Sequence, residues 1–100
     1  MNNYYFTSTE EFKMALREIY TNYFSSNYIY SSNEFQKLLF QKVKLLKTFP
    51  RMYPIIDKKQ EHRKIPILEY IIIYRVQDNN IHFVNIIPTK SNKYNHLYYT

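Results

Sequence analysis

The sequence contains no glycine and no cysteine. Without glycine there is no phosphate-cradling P-loop and no dinucleotide fingerprint, because both need backbone that approaches a ligand without a Cβ in the way. Every tight turn must instead be made by residues such as Asn and Asp, which tolerate the conformations glycine usually supplies. Without cysteine there is no disulfide framework and no thiolate zinc site, which suits a reducing, cytoplasmic compartment. Long apolar runs are missing too. The longest aliphatic run, Ile71-Ile72-Ile73, is far short of the roughly 20 residues of a membrane span. The first residues, Met-Asn-Asn-Tyr-Tyr-Phe-Thr, have neither the cationic start nor the apolar stretch of a signal peptide. Twelve tyrosines stand against zero glycines. AT-rich coding favours Tyr, Asn, Lys, Ile and Phe and disfavours Gly, so that contrast is compositional rather than functional.

The 100 residues predict a single domain with a modest core, since a chain of this length buries only about 60–70% of its unfolded surface. What the chain does have is positive charge, and it is concentrated. Residues 37–64 hold nine Lys and Arg against two acids, a net +7 in a chain whose total is +6. A contiguous positive field of this kind raises encounter rates with nucleic acid or with an acidic protein.

The element pattern is legible. Residues 3–7 suit a short strand, with Tyr4, Tyr5 and Phe6 on a pleated surface. Ser8-Thr-Glu-Glu11 matches a capping box. Phe12, Ala15, Leu16, Ile19, Tyr20, Tyr23 and Phe24 then recur at helical spacing, predicting a helix over 9–25. Ser31-Ser-Asn-Glu34 is a second capping box. Phe35, Leu38, Leu39, Val43 and Leu46 form the stripe of a helix over 32–48, with Lys37, Lys44 and Lys47 off the stripe. Phe49-Pro50 stops it. A basic connection from Arg51 to His62 leads to strands at 63–68, 70–77 and 81–87. Pro66 marks the first of these as an edge or a bulge. The second is the most apolar and therefore central. The turn Gln77-Asp-Asn-Asn80 separates the last two. The order β-α-α-β-β-β predicts an α+β fold: a small, mostly antiparallel four-stranded sheet with two N-terminal helices on one face, followed by a polar tail from 88 to 100.

At this point the chain resembles the RelE/ParE superfamily of toxins from bacterial toxin–antitoxin pairs. The resemblance rests on Leu46-Lys-Thr-Phe-Pro50 ending the second helix, Arg63-Lys-Ile opening a strand, Tyr70-Ile-Ile-Ile-Tyr-Arg-Val76, and Ile86-Ile-Pro-Thr-Lys-Ser-Asn-Lys-Tyr94 closing the last one. It implies a cognate antitoxin as partner, with no metal and no small-molecule cofactor. It also implies one of two activities. Some members enter the ribosome and cut mRNA, and others inhibit DNA gyrase with no nuclease activity. Fold alone does not choose between them.

For mRNA cleavage by 2′-hydroxyl attack, a site must take a proton, stabilise phosphorane charge and assist the leaving oxygen. Carried over from the mRNA-cutting branch, these roles fall on Lys64 (with Arg63 beside it), Lys90 and Tyr94. Two features depart from the pattern. Ile71 stands where that branch has an arginine, and the His that often precedes the basic residue after the last strand is missing at Pro88-Thr89. Lys64 and Lys90 therefore read either as catalytic groups or as solvated surface charges. Tyr94 reads either as a catalytic phenol or as an aromatic packing the tail. Lys44, Lys47, Arg51, Lys58, Lys59 and Arg63 read either as a soluble lysine-rich face or as a landing surface for RNA backbone. His62, His82 and His96 are further acid–base candidates, with His82 expected to face solvent. Tyr70, Tyr74 and Phe83 are expected to pack against the helices rather than stack on bases. The leading expectation is a ribosome-dependent mRNA endonuclease. The alternatives are a gyrase inhibitor without chemistry, or an inactive relative that only binds.

Overall fold

The structure, a computed structural model, describes residues 4–25 and 32–90. Its elements run β1 (Tyr5–Ser8), α1 (Glu10–Ser25), α2 (Ser32–Leu46), β2 (Ile55–Asp57), β3 (His62–Ile67), β4 (Tyr70–Gln77) and β5 (Asn80–Pro88). The five strands form one sheet in the order β1-β5-β4-β3-β2. β1 lies parallel to β5, and all other pairs are antiparallel. The α+β class, the two helices and the central position of the Tyr70–Gln77 strand are as the sequence predicts.

The strand count differs by one. β2 lies inside the basic connection from Arg51 to His62, where the sequence pattern predicts no strand. It has three residues and pairs Ile55 with Arg63 and Asp57 with His62 across an irregular register. A segment this short, entered through Pro54 and left through a Lys-rich turn, shows no alternation long enough to read. Because β2 covers only the start of β3, Pro66 lies on an uncovered stretch of strand, exposed, where its missing N–H breaks no ladder bond.

Each helix begins and packs for identifiable reasons. Thr9, rather than Ser8, caps α1. Its Oγ1 accepts a hydrogen bond from the Phe12 amide at 3.0 Å and donates to the Val84 carbonyl at 2.6 Å. That second bond also anchors the helix start to β5. The α1 stripe buries Phe12 and Ile19, and that of α2 buries Phe35, Leu39 and Leu46. Ser31 of the second capping motif, and the Tyr23 and Phe24 side chains, lie outside the described residues. The end of α2 is closed by the Phe49 amide bonding back to the Leu45 carbonyl at 2.8 Å.

The helices cover one face of the sheet only. That face carries Ile65, Ile67, Tyr70, Ile72, Tyr74, Ile81, Phe83 and Ile86 into the main core. Phe83 is stacked between Phe6 and Phe12, with ring centroids 5.7 and 5.2 Å away, and Phe35 meets Tyr70 edge-on at 6.1 Å. Tyr70, Tyr74 and Phe83 thus pack on the helix side, as expected. A register shift where Ile73-Tyr74 face Asn85 and Phe83 inserts Val84 as an extra residue. This bulge lets Phe83 and Ile86, three positions apart, face the same way.

The missing glycines leave a mark. Glu61, Leu68 and Asp78 have φ of 56°, 52° and 54°, one at each turn entering or leaving β3 and β4. Each holds a Cβ in the left-handed region, at about 1–2 kcal/mol against a glycine-like reference.

Candidate functional site

The open face of the sheet, opposite the helices, is where charge meets apolar surface. Alternation along β4 sends Ile71, Ile73 and Arg75 to this side. Ile71, Ile73 and Ile87 form a small buried cluster there, joined by Ile56 and Val84. Ile71 is 5% exposed, paired with Pro66 on one side and Ile87 on the other. The position that an mRNA-cutting relative would fill with a guanidinium is therefore a packed aliphatic one.

Next along β4 a polar row crosses the sheet. The Gln77–Asn80 turn sets Arg75 opposite His82, and His82 in turn pairs with Thr7 on β1. On the other side, beyond the Arg63–Tyr74 pair, His62 lies within electrostatic reach of Arg75, and His62 pairs with Asp57 on β2. His62 Nδ1 lies 3.7 Å from Asp57 Oδ2. Burial of the imbedded imidazole pulls the His62 pKa down from its ordinary value. Asp57 pushes it up by a smaller amount, and Arg75 adds to the lowering. At the other end, Thr7 Oγ1 donates to Asn80 Oδ1 at 2.8 Å and sits 2.6 Å from His82 Nδ1. With the hydroxyl proton used on Asn80, Thr7 accepts from His82 Nδ1–H, leaving Nε2 as the outward acceptor. Arg75 Nε is buried with no hydrogen-bond partner.

The residues singled out from sequence are not gathered in one place. Lys64 is half-buried on the open face, opposite Ile73. Lys90 is exposed just past β5, beyond the bond from the Thr89 amide to the Glu69 carbonyl. Four to five residues along the strands and two strands across separate them by about 15–20 Å. Tyr94 and His96 lie outside the described residues. Lys44, Lys47, Arg51, Lys58 and Lys59 are exposed. They surround the end of α2 and the β2–β3 turn, so the structure does bring most of the basic segment to one end of the molecule. Lys47 Nζ sits 5.7 Å from the centre of the Phe6 ring. Arg63 differs from these: its Nη1 donates to the Arg51 and Tyr53 carbonyls at 3.1 and 2.6 Å, holding the α2–β2 loop. The same loop receives the Tyr74 hydroxyl, which donates to the Pro50 carbonyl at 2.8 Å. Desolvation pushes the Tyr74 pKa up to about 12, so it remains a donor.

Interleaved with these cations are large exposed apolar side chains: Phe40, Leu45, Phe49, Met52 and Ile55. Phe40 is 63% and Phe49 57% exposed, which makes this strip a place for a partner rather than a core. Among the described residues no group of three His, Asp or Glu could hold a metal ion, and no helix is long and apolar enough to cross a membrane.

Arg75 and Asp57 carry much of the open face's polarity, and sequence patterning alone passes over both. For Arg75 a signal was present. The two-residue turn at Asp78-Asn79 fixes the hairpin register, and counting back from it places Arg75 beside His82. For Asp57 there was none, since β2 itself could not be read.

No curated protein sequence matches this chain. Among solved structures, one described as a chromosomal ParDE toxin–antitoxin system from P. aeruginosa matches with a TM-score of 0.61 and 14% identity, over 90% of this chain and 100% of that one. At that identity the likeness is one of fold. The sequence model of the ParE toxin of the type II toxin–antitoxin system parDE matches residues 7–92. That span runs from β1 through the whole sheet, and the chain belongs to the ParE toxin family.

Proposed function

We propose that the protein arrests growth by inhibiting DNA gyrase, as the toxin of a type II pair, without cutting nucleic acid itself. Ile71 carries this reading. Cleavage by 2′-hydroxyl attack needs a fixed cation where phosphorane charge develops. At that position the chain has an aliphatic side chain packed between Pro66 and Ile87, surroundings that make any charge expensive. Lys64 and Lys90, about 15–20 Å apart along and across the strands, do not surround one phosphate. Gyrase inhibition needs a docking surface rather than a reaction centre. The strip of Phe40, Leu45, Phe49, Met52 and Ile55 among Lys44, Lys47 and Arg51 supplies one. The partner that silences the toxin is a cognate antitoxin, whose acidic, apolar segment would suit the same mixture of charge and exposed hydrophobic surface.

The test is induction in a host lacking the antitoxin, reading DNA and mRNA together. The expected result is double-strand breaks with an SOS response, intact transcripts, and arrest that survives Lys90→Ala. Codon-phased cuts in mRNA with undamaged DNA would overturn the reading and restore ribosome-dependent cleavage, with Lys64 and Lys90 as the residues to pursue.

A further inference from the structure

The loop between α2 and β2 is tied down to an unusual degree for a surface connection. The Phe49 carbonyl accepts from the Met52 amide at 3.2 Å, and the Pro50 carbonyl from the Tyr74 hydroxyl at 2.8 Å. The Arg51 and Tyr53 carbonyls both accept from Arg63 Nη1, at 3.1 and 2.6 Å, and the Pro54 carbonyl accepts from the Lys64 amide at 3.3 Å. One guanidinium nitrogen thus spends both of its protons on this loop. Water could serve exposed carbonyls nearly as well, because each internal bond gains little over a bond to solvent. Pro50 and Pro54 stiffen the segment further by fixing φ. The side chains divide into two sets. Pro50 is buried, and Tyr53 meets Tyr74 edge-on with centroids 6.4 Å apart. Phe49, Arg51 and Met52 point outward and, with Tyr4, line an open groove. Phe49 and Met52 are 57% and 47% exposed. From Phe35 to Ile56 the chain has five Lys and Arg and no acid. Asp57, the first acid after that stretch, accepts from the Lys59 amide at 3.0 Å and lies beside His62.

We infer that residues 49–54 are a preformed docking element for gyrase, and that Arg63 and Tyr74 are positioning residues that hold this loop in its binding shape without touching the partner. Tyr74 is fully buried and Arg63 Nη1 is turned onto the loop backbone, so neither group is available to a ligand. The partner surface that fits is apolar and bordered by carboxylates, since Phe49 and Met52 stand among Lys44, Lys47 and Arg51. A loop ordered before encounter avoids the ordering cost that a free loop meets on binding. Releasing the clamp would leave only a fraction of molecules competent, and apparent affinity would fall by that fraction. The docking role rests on the gyrase reading. The clamp does not depend on it.

Two measurements on the full-length protein test the inference: binding kinetics on purified DNA gyrase, and amide hydrogen exchange of residues 49–54 without gyrase. Phe49→Ala, an exposed change, is expected to weaken binding about tenfold through faster dissociation. Tyr74→Phe, which alters no charge, is expected to slow association about threefold, and Arg63→Gln about fivefold, both with wild-type dissociation and faster loop exchange. Arg63→Lys should recover part of the loss. The Arg63→Gln effect should persist at high salt, where long-range steering is screened. Unchanged loop exchange in both clamp variants would overturn the clamp. If Arg63→Gln does not fold, Tyr74→Phe decides alone. Faster exchange with unchanged association would overturn the positioning role, and dissociation in Arg63→Gln as fast as in Phe49→Ala would show direct contact and overturn it too. Unchanged gyrase binding in Phe49→Ala, with weaker binding of the cognate antitoxin, would overturn the assignment to gyrase. A wild-type protein that does not bind gyrase would overturn the proposed function and the docking role with it, while the exchange measurement would still decide the clamp.

Discussion

On the helix side of the sheet, Phe35, Leu46, Tyr74 and Phe83 close a continuous core with both helices. On the open side, Ile71, Ile73 and Ile87 make a three-residue island beside a row of charged and polar groups. The same strands supply both faces by alternation, so each substitution in β4 tests one side or the other. The contrast teaches that a continuous apolar core and a polar surface are separated by a single strand thickness. The apolar packing that holds the fold is concentrated on one side, and the other carries Arg75, whose Nε is buried without a hydrogen-bond partner.

The largest effect should come from the helix side. Phe35→Ala, at a fully buried site, is expected to lose about 3–5 kcal/mol, a large part of the stability of a small domain. Ile87→Ala on the open side should lose nearer 2 kcal/mol, because the smaller cluster can collapse around the gap. Urea unfolding of the two variants checks this, and equal losses would erase the contrast. Tyr74→Phe comes next. It leaves the Pro50 carbonyl without its donor and is expected to cost about 1–2 kcal/mol, seen as a lower urea midpoint with an unchanged slope.

The pH response belongs to the open side. His62 has a lowered pKa in the fold, chiefly from burial. As pH falls below the ordinary value of 6.5, the unfolded chain takes up a proton that the folded one resists. The stability contribution is therefore present above that pH, declines below it, and levels off once the folded His62 also protonates. Among the described residues, Asp57 on β2 and Arg75 on β4 act on the ring electrostatically. Urea midpoints between pH 7.5 and 5 should fall more steeply in the wild type than in His62→Gln, and parallel curves would show that the ring does not drive the decline. The smallest effect is a gain. Glu61→Gly relieves a left-handed residue at an exposed turn and should raise stability by about 1 kcal/mol.

Much of the helix side was legible in the sequence because its signals are periodic. The stripe from Phe12 to Tyr20 and that from Phe35 to Leu46 specify two buried faces, and Tyr70–Gln77 reads as the central strand from its density of β-branched and aromatic residues. The open side was legible only in pieces. Lys64 and the exposed basic cluster could be named, and Ile71 could be flagged as out of place. Their relation depended on register, and register depended on the Val84 bulge and on β2, neither of which alternation reveals. Thr9 displaced Ser8 as the helix cap because its hydroxyl had a second partner in Val84, a tertiary contact that no local motif encodes.

The parallel pairing of β1 with β5 also sets a clock. Thr7 and His82 touch across 75 positions of sequence. Synthesis at about 5–20 residues per second separates their appearance by roughly 4–15 s. For that interval the first strand has no neighbour, the two helices have no complete sheet to cover, and neither face of the finished molecule exists. The sheet closes only when its last strand arrives, so the nascent chain spends its first seconds with the partner of its first strand still unmade.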